Sequence, residues 1–472
     1  MQQPTARSVV ARLDRIPVWS LPSLFVWVIG AGFLFTFFDI FDINVSFIQT
    51  CVQIVPHCTP QNASNSLGTP VLLSLVGYVV GTLVLSPLAD RFGRRDMLLV
   101  TMAITGIGSL LTAFTGDLTT FTAARFLTGI GIGADLAIVN VYISEMAPTS
   151  GRARYTSLIF VMSSVGAFLG IWLGLLLTTP STPLPLGLPF ALAGPGFESG
   201  WRVMYVIGAV LALVGVLLRF QLPESPRWLL SRGRAGEAGA VVTTMEERAE
   251  RGTTLPRPAD EAALETAPSD ISYPTILSSP VYLRRAALLL AVWLIAYVTV
   301  YGFGAGFTSV LATLAYPPPE AGLIAAVGVL GFIACALCAF AFGERLERKR
   351  WLPLAALLTL IGGILVALGG HVLALSFIGA IIVFFGFNLW VPMTYSWSAE
   401  SFPTRARTTG FALVDGVGHV GGGIGLVLIA PLIPHLGALG SMLLITAFLV
   451  VASILAQFGV DTRNRRLDEV SP

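Results

Sequence analysis

Apolar runs about 20 residues long, the length that carries a helix across a hydrocarbon core about 30 Å thick, recur twelve times in this chain and leave few folds open to it. They lie near 22–48, 69–89, 97–115, 120–144, 155–179 and 201–221, then near 286–311, 320–342, 351–370, 372–398, 409–431 and 438–459. A backbone in lipid must satisfy its own polar groups, and a helix does so within a single segment. The expected fold is an all-α membrane protein with twelve transmembrane helices. Composition agrees: 55% of the 472 residues are apolar and 11% are charged, where a soluble domain carries about 25%.

Two short stretches repeat at one spacing. Glu145-Met146-Ala147-Pro148-Thr149-Ser150-Gly151-Arg152 returns 255 residues on as Glu400-Ser401-Phe402-Pro403-Thr404-Arg405-Ala406-Arg407. Asp90-Arg91-Phe92-Gly93-Arg94-Arg95 returns, more weakly, 254 residues on as Glu344-Arg345-Leu346-Glu347-Arg348-Lys349. A shared offset implies a duplicated set of six spans, with both copies facing the same way. The organisation expected is a six-helix bundle over 1–221, a polar cytoplasmic linker over 222–283, and a second six-helix bundle with a short tail over 284–472. Within the linker, Arg234 to Arg251 has helix-forming composition; amphipathic surface helices and a solvated tether both fit it.

Basic residues near span ends stay on the cytoplasmic face. With both termini inside, nearly every arginine falls on that face, Arg219 and Arg227 included; Arg125 lies within a span and Arg202 outside. The net charge of +2 therefore concerns topology, and no nucleic-acid partner is expected. The first apolar segment is too long for a signal-peptide core and is read as span one of a protein of the cell membrane. Cys51 and Cys58 fall in the first outside loop, where an oxidising compartment permits a disulfide.

Charge within a span costs at least about 2.5–3.5 kcal/mol near a helix centre, so the few charged survivors are the site candidates: Asp39, Asp42, Arg125, Asp135, Asp415 and His419. Asp39 and Asp42 are three apart and share a helical face. Counting residues from the outer boundary puts Asp42 and Arg125 at similar depth, so they are expected to pair. A carboxylate held by burial against a guanidinium is a group that one proton can switch. Asp415 and His419 stand one turn apart in span eleven, open to proton relay, carboxylate binding or a structural pair. Phe41, Trp390, Tyr395 and Trp397 offer aromatic walls. Gly129 and Gly133 of span four permit close helix contact. No nucleophile, metal cluster or phosphate loop is present, so neither an enzyme nor a cofactor is expected.

The stretch Ser86-Pro87-Leu88-Ala89-Asp90-Arg91-Phe92-Gly93-Arg94-Arg95 resembles the signature loop of the major facilitator superfamily. Pro223-Glu224-Ser225-Pro226-Arg227-Trp228 is similar to a motif shared by sugar porters and organic-ion transporters. The resemblance implies two pseudo-symmetric six-helix bundles that alternate in access. It also implies a cytoplasmic gate built from Asp90, Arg94, Glu145, Arg152, Glu224 and Arg227, with Glu400 and Arg407 in the copy. Asp39-Ile40-Phe41-Asp42 resembles span one of proton symporters for aromatic acids and for phosphate, and Arg125 to Asp135 resembles their span four. This implies proton coupling through Asp39, Asp42, Arg125 and Asp135. Span seven lacks the paired glutamines and the asparagine that sugar porters place there.

The function expected is proton-coupled import of a small organic acid, with aromatic acids among the candidates as the cavity walls imply, and with Arg125, Phe41, Trp390, Tyr395, Trp397, Asp415 and His419 around the substrate. A proton-antiport exporter of drugs or metabolites and an inorganic phosphate symporter are the alternatives. The partners are the substrate, protons and the lipid bilayer, and a monomer is expected.

Overall fold

The computed structural model describes residues 6–16, 20, 23–146, 152–179, 198–257, 278–343, 345–370, 372–402 and 410–463. Every regular element among them is helical. Ten helices are long and apolar enough to cross a membrane, and the bent pair Val28–Phe41 and Ile43–Ile54 makes one crossing more. The run Ala412–Ala456 counts among the ten but has 45 residues, and at 1.5 Å per residue it would reach roughly 67 Å, about twice the hydrocarbon core. It turns back at Gly437, whose φ of 65° no ordinary residue adopts easily, and so supplies two spans. Twelve spans result.

Spans one to six and seven to twelve form two bundles. They meet where span two runs along span eleven and span five along span eight. One end of the molecule carries the loop closed by the Cys51–Cys58 disulfide. The opposite, basic end carries the helices Ala6–Asp14, Pro226–Ser231 and Ala235–Ala249. The last of these falls in the stretch that composition left open between helix and tether. It is ordered because it has something to bury: Val242, Met245 and Ala249 pack with Val9 and Leu13 of the first helix and with Ile16 just beyond it. Arg12 and Arg15 both reach the Glu246 carboxylate across that seam.

Spans two and four are joined by small residues taken alternately from each. A Cβ on Gly129 or Gly133 would collide with the carbonyls of Ser74 or Tyr78, and one on Gly77 or Gly81 with those of Phe126 or Ile130. Helix association in lipid depends on such close backbone contact. Gly133→Val is accordingly expected to destabilise the protein by about 1–3 kcal/mol, the usual cost of overpacking, read as a lower melting temperature in detergent. An unchanged melt would mean the two helices have room to separate.

At the basic end each half holds its own ion pair. Arg94 meets Glu145 at 3.1 Å and Asp90 at 2.5 Å. Its copy, Arg348, meets Glu400 at 3.2 Å, so the duplication preserved a pair that the altered residues Glu344 and Glu347 made hard to foresee. Glu224 was expected to hold arginine side chains; it accepts instead from the backbone N–H groups of Arg94, Arg95 and Ser225, where the start of span three leaves donors unpaired. Burial pushes its carboxyl above the ordinary value while these donors pull against it. Arg227 departs from the expected cluster and binds Asp14 of the first helix at 2.5 Å. The Arg152 side chain and Arg407 lie outside the described residues.

Among the described residues none of these pairs joins the two halves at the basic end. At the disulfide end the halves are tied. Span seven breaks between Pro280–Gly304 and Phe307–Thr313, leaving carbonyls without helical partners. Asn44 Nδ2 donates to the Gly304 carbonyl at 2.5 Å, and Thr308 Oγ1 donates to Asn44 Oδ1 at 2.6 Å. A Ser64–Thr313 hydroxyl contact at 2.9 Å adds to the tie.

Candidate functional site

Span one breaks at Asp42, between Ser23–Phe41 and Ile43–Ile54. The carbonyls of a helix's last turn lack intrahelical partners, and span four supplies a donor here. Arg125 donates through Nη2 to the Asp39 carbonyl and through Nη1 to Asp39 Oδ2, each at 2.8 Å. The guanidinium lies 5.4 Å from the centre of the Tyr205 ring. Asp39 is 1% exposed, Arg125 3% and Asp42 0%.

The expected pairing of Asp42 with Arg125 is thereby corrected: Asp39 is the partner. The shared-face argument assumes a continuous helix, and the 42° bend at this point aims the two carboxyls differently. Asp42 stays beside the pair with neither oxygen meeting a side-chain donor, and Asp39 Oδ1 and Arg125 Nε are likewise unpartnered. A polar group buried in this way is costly, which marks the cluster as more than packing.

Asp135 does not join it. It lies nearer the basic end and is gripped by Arg219 through both Nη atoms, with Thr101 Oγ1 donating at 2.9 Å. Arg219 also donates to the Leu98 carbonyl at 2.9 Å, and both partners are wholly buried. Arg219 is the last residue of span six, and its side chain turns inward to close that span from inside the bundle.

The second cluster lies in the other half. Asp415 stands in a widened turn, Ala412–Gly416, where Tyr297 Oη donates to its Oδ1 at 2.8 Å and Tyr78 Oη to its Oδ2 at 3.5 Å. The His419 ring is held between the rings of Tyr78 and Tyr297, each with centroid 4.1 Å away. Tyr78 belongs to span two and Tyr297 to span seven, so this stack joins the halves midway along their length.

Between the clusters lie two adjoining lobes that share Ile40, Tyr301 and Ala305 in their walls. Arg125 and Tyr78 line the first. Phe41, Tyr395, His419 and Asn388 line the second. Of the expected substrate contacts, Arg125 lines the first lobe and Phe41, Tyr395 and His419 line the second. Asp415 stands behind the tyrosines. Trp390 is a correction: it backs the wall, 4.9 Å from Trp293 by ring centroids, and lines neither lobe. Trp397 is another, since its Nε1 donates to the Val460 carbonyl at 2.9 Å, a contact with the segment beyond span twelve.

Tyr78, Tyr297, Tyr301 and Asn44 were not among the expected site residues. A search for charge within spans passes over neutral side chains; the four-residue spacing of Tyr297 and Tyr301 on one face of span seven was the available signal.

Comparison with known proteins agrees with this architecture. The chain is 25% identical over 468 residues to the niacin transporter NiaP of Acinetobacter baylyi, with 98% of this chain and 99% of the relative covered. It is 26% identical over 430 residues to a D-xylose transporter of Levilactobacillus brevis, covering 85% and 86%. A solved structure of the proton:xylose symporter XylE of E. coli superposes with a TM-score of 0.66 at 20% identity, over 95% of this chain and 98% of that one. The model of the sugar (and other) transporter family matches residues 24–472, and with that match over nearly the whole chain the protein belongs to this family of the major facilitator superfamily, as a multi-pass membrane transporter.

Proposed function

We propose that the protein is a proton-coupled symporter that imports a small organic acid, an aromatic one in preference, by alternating access. The observation that carries this reading is Asp42, buried without a side-chain donor beside the Asp39–Arg125 pair. With both aspartates ionised the trio bears a net negative charge in a dry site, which opposes an arriving anion. A proton on Asp42 makes the trio neutral, and the cargo carboxylate then docks on Arg125, whose Nε has no partner. Proton and acid enter together. Asp135, saturated by Arg219 and Thr101, holds spans three, four and six together and takes no proton in this scheme.

The bundles 1–221 and 284–472 rock about the cavity, with 222–283 as the tether on the cytoplasmic side with both termini. The Cys51–Cys58 bridge supports this orientation, since such bonds persist on the oxidising face of a membrane. In that frame Asn44 and its partners close the outer side. The aromatic walls and the niacin transporter among the relatives support an aromatic carboxylate as cargo.

A sugar is the second reading, favoured by the xylose transporters among the relatives. Uptake into proteoliposomes with an alkaline interior separates the readings. Nicotinate and benzoate are expected to accumulate when the gradient is applied and to stop when a protonophore collapses it. Accumulation of D-xylose or phosphate with no response to either acid would overturn the assignment, and loss of preloaded acid under that same alkaline-interior gradient would point to proton-antiport export.

A further inference from the structure

We propose that His419 selects the far edge of the cargo: its Nε2 accepts a hydrogen bond from an O–H or N–H group on the ring of a small aromatic carboxylate. This rests on the cargo class argued above. The tautomer follows from geometry. His419 Nδ1 lies 2.8 Å from the backbone carbonyl of Asp415, and a carbonyl oxygen only accepts, so in the neutral ring the proton sits on Nδ1 and a lone pair is left on Nε2.

The same surroundings decide which part of the ring the cavity sees. Both faces are covered, by Tyr78 and by Tyr297, and the Nδ1 edge is turned back to its own helix. His419 nevertheless lines the second lobe, and the Nε2 edge is the part of the ring that we assign to it. Nor do the adjacent hydroxyls satisfy that lone pair. The O–H groups of Tyr297 and Tyr78 are both directed at the Asp415 carboxylate. Asp415 thus does two things: its backbone fixes the tautomer, and its side chain occupies the donors that would otherwise quench the acceptor.

Arg125 and His419 then stand on two lobes that share Ile40, Tyr301 and Ala305. A flat acid with its carboxylate on the first and a donor on its far side suits both. A histidine kept only for packing would have no reason to leave an acceptor edge open to the cavity.

The test compares ring substituents by competition for transport in proteoliposomes of the full-length protein, using benzoate, 3- and 4-hydroxybenzoate and the matching methoxybenzoates. One net hydrogen bond corresponds to an apparent affinity about 3- to 10-fold higher for a hydroxy acid than for benzoate, and methylation of that oxygen should remove the gain. In His419→Phe the ratio of hydroxy acid to benzoate is expected to fall to about one, whatever happens to both together. In His419→Gln, whose amide oxygen still accepts, part of the ratio should return. A wild-type ratio of about one for both isomers, or a ratio unchanged in His419→Phe, overturns the role of His419 and leaves the cargo class standing. If no aromatic acid competes, the cargo reading and this inference fail together. The wild-type comparison of hydroxy with methoxy acids decides the matter even if a variant fails to fold.

Discussion

Asp42→Asn is expected to yield a transporter that exchanges its cargo across the membrane and no longer concentrates it. Asparagine has nearly the shape of a protonated aspartate, so the trio with Asp39 and Arg125 stays permanently neutral and ready for an anion. Exchange needs only binding and rocking, and both remain. Accumulation needs a proton that boards and leaves, and that step is gone. Coupling to one proton supports about tenfold accumulation per unit of pH difference, because 1.4 kcal/mol corresponds to a factor of ten; the variant should show none of it while counterflow persists. The pH response carries the same sign. In the wild type the apparent affinity for the acid should rise as the pH on the loading side falls, since protonation of Asp42 removes the repelling charge, whereas the variant should respond only through the titration of the cargo itself. Accumulation by Asp42→Asn at the wild-type level would remove Asp42 from the coupling scheme.

The parts of this picture that were legible beforehand are those with one dominant cost. Apolar length decided the spans, because a chain of this hydropathy has few other uses for runs of that size. Intramembrane charge singled out Asp39, Asp42 and Arg125, because burial of a charge is too costly to leave unused. The choice between Asp39 and Asp42 was not legible. It depends on a helix break that neither glycine nor proline announces, in the stretch Asp39-Ile40-Phe41-Asp42. The inward turn of the Arg219 side chain was not legible for a related reason: a base at the end of an apolar run usually marks the boundary, and only the fold brings Asp135 of another helix up to meet it. Asn44 and the tyrosines around Asp415 are neutral, so the cost that exposes an ion in a sequence does not expose them. Trp390 and Trp397 misled in the opposite direction, since aromatic residues serve packing and cavity walls alike.

The two buried ion pairs of the first half should separate cleanly on mutation, and Asp135→Asn is the sharper probe. Removing one partner leaves Arg219 buried and uncompensated, a loss of about 3–5 kcal/mol, large against the total stability of a folded protein. The apolar double replacement Asp135→Leu with Arg219→Met removes both charges at similar volume, and such exchanges are commonly neutral or stabilising. It is therefore expected to melt close to the wild type. The double variant should also accumulate cargo on a proton gradient, because Asp135 is already saturated by Arg219 and Thr101 and has no proton to trade. The corresponding double replacement at Asp39 and Arg125 should abolish transport however well the protein folds, since it removes the carboxylate anchor as well as the coupling charge. Melting curves and gradient-driven uptake on both pairs make the contrast quantitative. A stable Asp135/Arg219 double variant that exchanges cargo but cannot concentrate it would return Asp135 to the proton path and require a second coupling site below the first.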